Sequence, residues 1–237
     1  PNVALMYKPG KFNFRASYAA GFRTPTLSEL YATDIAKKND RLTIGNLDLK
    51  PEKNNYFSLS AEYVHERFSV SVNAFYNNIR DMIDYNTIAT GDKAMEQYGH
   101  KEVRQRDNIA EAKVHGINVS ANAYLGAGFN LSGGYTHLNT QDVELEQPID
   151  KSIKNAYNIN AQWAHSWKIY RLNINLNGRF NSKRFSKSYG YAPEYQLWDL
   201  NTRHSFNLKS VIIEPGCGME NLFDYMDDRP YNSNYAT

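Results

Sequence analysis

One polar stretch, running from Tyr85 to Arg106, carries the side chains best suited to holding a ligand. Within it, Tyr98 and His100 could each supply an axial ligand atom to an iron centre. Arg104 and Arg106 could pair with carboxylates or phosphates, because a guanidinium group presents a planar fork of N–H donors. The alternative interpretation is a solvated surface loop of mixed charge, and the sequence leaves both open.

A second candidate stretch is residues 183–193, where aromatic rings fall in a predicted loop. Tyr189 and Tyr191 could stack on a ligand there. Most other aromatic residues of this part of the chain lie near the ends of predicted strands, which is typical of interfacial girdles. We therefore include Tyr189 and Tyr191 among the candidate ligand-binding residues.

Other kinds of chemistry have little support in the sequence. The five histidines other than His100 fall on predicted strands or in short turns, with His65 and His165 assigned to turns, and no pair has the spacing of a metal site. The single Cys217 excludes an internal disulfide. Neither a nucleophile elbow nor a Gly-rich phosphate loop is present, so we expect no enzyme, no resident cofactor and no metal site.

The elements that must position these residues are predicted to be strands. Between Phe68 and Tyr76, apolar residues alternate with Ser and Asn, and a period of two indicates a strand with one apolar face. Similar alternation predicts ten strands, at about 2–8, 11–20, 52–65, 67–80, 108–125, 128–139, 153–165, 168–182, 194–208 and 210–221.

The connections between these strands alternate between tight turns and long polar loops. The long loops are expected at about 21–51, 81–107, 140–152, 183–193 and 222–237. Short turns at one end and long loops at the other are typical of an all-β, antiparallel transmembrane β-barrel. Charged side chains are costly against lipid, so Arg171, Arg179 and Arg203 should point into the lumen. A soluble antiparallel sheet with one buried face is the alternative.

Composition excludes two other classes of protein. The 237 residues carry a formal net charge of +2, with no basic tract, so nucleic acid is not an expected partner. The mean hydropathy of −0.65 is low for a helical membrane protein, and no apolar run approaches the ~18 residues that a spanning helix needs. The criterion of a long apolar run does not apply to a β-barrel, because only alternate residues of its strands face lipid.

Four segments resemble the sequence boxes of the TonB-dependent outer-membrane receptors. Ala20–Tyr31 contains a variant of F-R-A-P-x-x-x-E-L-Y, and Gly45–Glu52 is similar to G-N-P-x-L-x-P-E. Asn108–Asn118 resembles the N-x-x-x-A-x-x-x-G-x-E strand, and Gly218–Asp224 matches the segment that ends in N-L-F-D. Each box is weak alone, but their order along the chain is that of the family.

This resemblance implies a larger protein. Receptors of the family have a plugged barrel of about 22 strands. Residues 1–237 would then be the carboxy-terminal segment of that barrel, contributing about ten strands, with the plug domain and the amino-terminal strands absent. The implied partners are the lipid of the Gram-negative outer membrane and, through the absent plug, the TonB complex.

The resemblance also implies uptake of a scarce nutrient, with iron chelates (siderophore or haem) expected first. Haem receptors of the family usually place an axial histidine between the first two boxes, but residues 26–44 contain none, and Tyr31 offers the one suitable oxygen nearby. Receptors for cobalamin or another large nutrient, a passive porin-like barrel and an outer-membrane hydrolase remain alternatives. The plain structural interpretation of the boxes is that they shape the loops and bind nothing.

Overall fold

A computed structural model describes residues 1–186 and 190–226. Ten strands form the body of the sheet: β1 Asn2–Tyr7, β2 Phe12–Arg23, β5 Glu52–Val64, β6 Phe68–Thr90, β7 Glu102–Gly126, β8 Phe129–Asp142, β9 Asn155–Trp167, β10 Tyr170–Asn181, β13 Tyr195–Leu208 and β14 Val211–Ile213. Shorter elements lie at its margins: α1 Leu27–Tyr31, β3 Thr33–Ala36, β4 Arg41–Ile44, α2 Gly91–Tyr98, β11 Arg184–Ser186, β12 Gly190–Ala192 and β15 Gly216–Met219.

The main strands form one continuous antiparallel wall. Its order is β1-β2-β5-β6-β7-β8-β9-β10-β13-β14, so each long strand pairs with the next long strand along the chain. The predicted all-β antiparallel architecture is therefore confirmed. The predicted tenth strand is instead two short strands, β14 and β15, which both pair with β13. Pro215 lies between them and cannot donate a ladder hydrogen bond.

Two predicted loops are more regular than the sequence pattern indicated. The connection expected at 81–107 is wrong, because β6 and β7 continue as a paired ribbon to Thr90 and Glu102, with α2 closing the end. The connection expected at 21–51 contains α1 and the β3–β4 hairpin, and β4 pairs in parallel with β7. His165 was also misplaced, since it lies within β9 rather than in a turn.

The wall has one polar and one apolar face, as the alternation predicted. On the polar face, Ser17 and Ser58 hydrogen-bond across β2 and β5 at 2.6 Å, and Asn160 donates to Asn177 at 2.6 Å. The three arginines predicted for the lumen alternate with asparagines along β10 and β13, and Arg179 lies 3.9 Å from Asp199. The apolar face exposes large side chains, among them Leu59, Val72, Ile117, Leu131 and Ile159.

Two aromatic belts bound the apolar face. The turn-side belt lies beside the tight turns and comprises Phe12, Tyr63, Phe68, Phe129, Trp163, Trp167, Tyr170 and Phe206. The loop-side belt lies beside the long connections and comprises Tyr18, Phe57, Tyr76, Tyr135, Tyr157, Phe180 and Trp198. On β10 the belts are ten residues apart, from Tyr170 to Phe180, which is roughly 33 Å along a strand. At a barrel tilt of roughly 40° that length spans about 25 Å, the height of a membrane barrel's apolar band.

The small buried core lies beyond the loop-side belt, where the two long connections meet. Leu42 of β4, Ala89 of β6, Ala94 of α2 and Val103 of β7 pack together. In the part of the chain that the structure describes, no helix has the length and apolarity to cross a membrane.

Candidate functional site

Above the loop-side belt, the end of β2 is fastened to two neighbouring elements by a single guanidinium group. Arg23 donates from Nε and Nη2 to the carboxylate of Glu52 at 2.8 and 2.6 Å. Its Nη1 donates to Oε2 of Glu29 at 2.9 Å. Arg23 and Glu29 belong to the first sequence box and Glu52 to the second, so this clamp joins the two boxes directly.

The first box begins α1 with a reciprocal cap. The hydroxyl of Thr26 accepts from the N–H of Glu29, and the Glu29 carboxylate accepts from the N–H of Thr26 at 2.8 Å. Hydrogen bonds from the Arg23 guanidinium, supported by those from Thr26, lower the pKa of Glu29 to about 2 from its ordinary value of 4.5. Glu29 therefore stays ionised across all neutral and mildly acidic conditions.

The second box packs against the backbone of α1. The N–H of Gly45 donates to the carbonyl of Ala32, and the N–H of Asn46 donates to the carbonyl of Glu29. A Cβ at Gly45 would lie 2.5 Å from the carbonyl oxygen of Leu30. Glycine is required at this position because the two backbones approach too closely for any side chain.

The third box supplies an anchor from β7. The Asn108 side chain donates to the carbonyls of Asp81 and Lys50, at 2.6 and 2.9 Å, and accepts from the N–H of Lys50 at 2.7 Å. Asp81 lies at a bulge in β6 and has a φ of +58°, which frees its carbonyl from the ladder. Asn108 thus satisfies backbone groups of both the bulge and the second box.

The two long connections are also joined to each other. Residues 41–44 of β4 pair in parallel with residues 102–105 of β7. Nδ1 of His100 lies 2.8 Å from Oδ1 of Asp40, and the N–H of Lys101 donates to the Asp40 carbonyl. The imidazole at this distance lowers the pKa of the Asp40 carboxyl. The two connections are consequently joined into one unit above the wall, which we call the loop unit.

Two guanidinium groups of β7 stack on one tyrosine ring in this unit. Cζ of Arg104 lies 4.0 Å and Cζ of Arg106 3.7 Å from the ring centroid of Tyr85. Arg106 also donates from Nη2 to the Tyr85 hydroxyl at 2.6 Å. Among the described residues neither arginine forms an ion pair, and Nε of Arg104 has no hydrogen-bond partner. We call Tyr85, Arg104 and Arg106 the arginine–tyrosine stack.

The remaining predicted ligand residues are scattered. Tyr31 ends α1 and is exposed, while Tyr98 ends α2 and packs against the small core. Tyr191 lies in the β11–β12 hairpin, where its ring contacts that of Phe185. Tyr189 lies outside the described residues. The structure brings together Arg104 and Arg106 but joins neither of them to Tyr31 or Tyr191.

Two partners in this region were not identified from the sequence. Tyr85 is opposite Arg106 in the β6–β7 ladder, and Asp40 reaches His100 from the β3–β4 connection. A continued period of two beyond Ile83 would have indicated the first pairing. Nothing local indicates the second, because 60 residues separate its members. Within residues 1–186 and 190–226, no group of three or more potential metal-ligating side chains lies together.

Comparison with known proteins gives a family match over most of the chain. Residues 1–219 match the profile described as TonB dependent receptor-like, beta-barrel.

Similar solved structures include a ferric enterobactin receptor of Pseudomonas aeruginosa in complex with enterobactin, at 19% identity and a TM-score of 0.76, covering 95% of this chain and 35% of that one. The ferric preacinetobactin receptor of Acinetobacter baumannii aligns at 18% identity and a TM-score of 0.67, covering 94% and 32%. A copper transporter aligns at 13% identity and a TM-score of 0.71, covering 94% and 33%. The chain thus spans about a third of the length of these proteins, and identities this low establish the fold alone.

Proposed function

Because the chain belongs to the TonB-dependent receptor family, whose β-barrel profile matches residues 1–219, we propose that it is part of an outer-membrane receptor that takes up an iron chelate. The proposed work is capture of the chelate by the loop unit, followed by gating that the TonB complex drives through a plug domain. This is binding and conformational change, without covalent chemistry. The residues that would act first are those above the loop-side belt.

The observation that carries this proposal is the arginine–tyrosine stack. Its two positive charges have no carboxylate partner in the described part of the chain. Unpaired guanidinium groups favour an anionic ligand, since hydrogen bonds between ionised groups are about twice as strong as neutral ones. A ferric tris-catecholate carries a net negative charge on its oxygen ligands, so it is a suitable anion for these two guanidinium groups.

The similar structures guide the choice of ligand to test first. Two of them are receptors for ferric enterobactin and ferric preacinetobactin, which supports a siderophore as the first candidate. The copper transporter has the same fold with a different cargo, so cobalamin, copper and haem remain comparison ligands. For haem, the candidate axial residues are Tyr31, Tyr98 and His100, and His100 would have to bind while its Nδ1 faces Asp40.

The test is a binding titration of the complete receptor in detergent, followed by tryptophan fluorescence. The ligands are a ferric tris-catecholate, a ferric hydroxamate, haemin, cobalamin and a copper(II) salt. The variant Arg104→Ala/Arg106→Ala should weaken binding of the anionic chelate by about 100-fold, because each charged hydrogen bond contributes about 1.5–3 kcal/mol. A matched variant, Arg171→Ala/Arg203→Ala, removes two cations from the polar wall and should bind normally.

Other outcomes would point elsewhere. If the Arg104/Arg106 variant bound the anionic chelate as tightly as the unchanged receptor, the arginine–tyrosine stack would have no role in ligand binding. Saturable binding of cobalamin alone would replace the iron chelate as the cargo. Saturable haemin binding lost in Tyr98→Ala/His100→Ala would identify haem.

A further inference from the structure

A group of cations lies on the apolar side of the wall, beyond the loop-side belt, where the proposed transport mechanism does not use it. Lys53 of β5 is directly opposite Arg80 of β6, and Lys113 of β7 is opposite Asn78, two residues from Arg80. Residues directly opposite one another share a face of a sheet. These three side chains, the cation cluster, therefore lie side by side on neighbouring strands.

The face on which they lie is the apolar one. Lys53 has the same parity on β5 as the exposed Phe57 and Leu59, and Arg80 has the same parity on β6 as Tyr76 and Val72. In the region between the two belts, this face of β5, β6 and β7 carries only apolar residues and aromatic rings, with charge reappearing at the cation cluster. The cluster therefore marks the upper border of the apolar band.

Its height above the belt places Lys113 in the headgroup layer of a membrane, and Lys53 and Arg80 at the outer edge of that layer. Lys53 lies four residues beyond Phe57 and Lys113 two residues beyond His115, which is opposite Tyr76. These separations are roughly 13 and 7 Å along a strand, or about 10 and 5 Å along the membrane normal at the usual tilt. The headgroup layer is about 5–8 Å thick on each side of the hydrocarbon.

The internal partners of the cluster hold it weakly. Lys53 lies 3.7 Å from Asp81, while Arg80 and Lys113 lie 3.8 and 3.6 Å from the same oxygen of Glu111. All three distances exceed hydrogen-bond length, and the Lys53 and Arg80 side chains are 65% and 62% exposed. Exposed pairs of this kind contribute little to stability, so a phosphate group could replace the two carboxylates as the partner of these cations.

We infer that the cation cluster binds the phosphorylated headgroup of a lipid in the outer leaflet of the surrounding membrane. The lipid's acyl chains would lie along the exposed apolar residues between the belts, and its phosphate would accept hydrogen bonds from Lys53, Arg80 and Lys113. A free phosphate ion offers the same chemistry but gains nothing from the apolar surface below. This site is separate from the arginine–tyrosine stack, so its test does not depend on which nutrient is transported.

The test is native mass spectrometry of the complete receptor, purified in detergent and titrated with bisphosphorylated lipid A. The variant Lys53→Gln/Arg80→Gln/Lys113→Gln should lower the retained lipid at least tenfold, because each surface cation near an anionic lipid changes the affinity by roughly fivefold. The matched control is Arg15→Gln/Arg171→Gln/Arg203→Gln, which removes the same charge from the polar face and should retain lipid normally. Removal of the phosphates from lipid A should weaken its binding to the unchanged receptor. The remaining affinity should equal that of the triple variant for bisphosphorylated lipid A.

Three results would overturn the inference. The first is unchanged lipid retention in the Lys53/Arg80/Lys113 variant, and the second is an equal loss of retained lipid in the control variant. The third is displacement of the lipid by inorganic phosphate at matched concentration, which would indicate a free-anion site. If the triple variant failed to fold on a heat-modified gel, the single variants Lys53→Gln and Arg80→Gln would each have to lower retention about fivefold.

Discussion

Removal of the Arg23 guanidinium should release α1 from the wall. Methionine at this position keeps much of the aliphatic stem but leaves the carboxylates of Glu29 and Glu52 facing each other without their shared cation. Those side chains are only 14% and 17% exposed, whereas that of Arg23 is 44% exposed. Breaking a fully buried pair costs about 3–5 kcal/mol, and the exposure of the arginine reduces this to about 2 kcal/mol here.

The expected consequence is a local opening that hydrogen exchange can measure. A change of about 2 kcal/mol corresponds to roughly 30-fold faster exchange for the amides of residues 24–32, measured on the complete receptor by mass spectrometry. Strands β9 and β10 should exchange at an unchanged rate. The double variant Arg23→Met/Glu29→Gln should recover part of the protection, because it removes one of the unpaired carboxylates. An increase below about threefold would refute the idea that this clamp fixes the first box.

Three further predictions concern the same boxes. The pKa of Glu29 is lowered to about 2 from 4.5, so the stability that this carboxylate contributes is complete above about pH 4.5 and is lost as the pH falls through about 2. Pepsin at pH 3 should therefore leave residues 24–32 of the unchanged receptor intact. The same treatment should cut residues 24–32 in the Glu29→Gln variant. Replacement of Asn108 by Ala should lower the free energy of unfolding by about 2 kcal/mol, because it leaves the Lys50 N–H and two carbonyls without their partner. An unchanged unfolding temperature on heat-modified gels would contradict this prediction. Gly45→Ala should displace α1, because its Cβ would meet the Leu30 carbonyl; the expected readout is faster exchange in residues 26–32, and unaltered exchange would show that the backbone adjusts without cost.

The sheet could be predicted from the sequence because apolar and polar side chains alternate along most of each strand. Alternation in segments such as 68–76 identified nine of the ten main strands and assigned Arg171, Arg179 and Arg203 to the polar face. The rule fails where a strand bulges. At Asp81, with its positive φ, β6 gains an extra residue and the period of two is reset. The ribbon beyond it was consequently mistaken for a loop.

The loop unit was less predictable because its contacts join residues that are far apart in the chain. The boxes contain Arg23, Glu29 and Glu52, but their pairing was not predicted, because the clamp exists only once β2 and β5 are paired. The stack of Arg104 and Arg106 on Tyr85 likewise depends on the β6–β7 register. The clamp has no local sequence signal, and the signal for the stack, a continued period of two beyond Ile83, was missed. Arg104 and Arg106 were therefore chosen as candidates without their partner Tyr85.

The most direct test of the proposed function is uptake of radioactive iron, supplied as the ferric tris-catecholate, by iron-starved cells that produce the complete receptor. Uptake should require an energised inner membrane, stop when an uncoupler is added, and fall at least tenfold in the Arg104→Ala/Arg106→Ala variant at equal surface abundance. Uptake that continues with the uncoupler and is unaffected by the two substitutions would contradict energised capture of an anionic chelate and would favour a passive barrel.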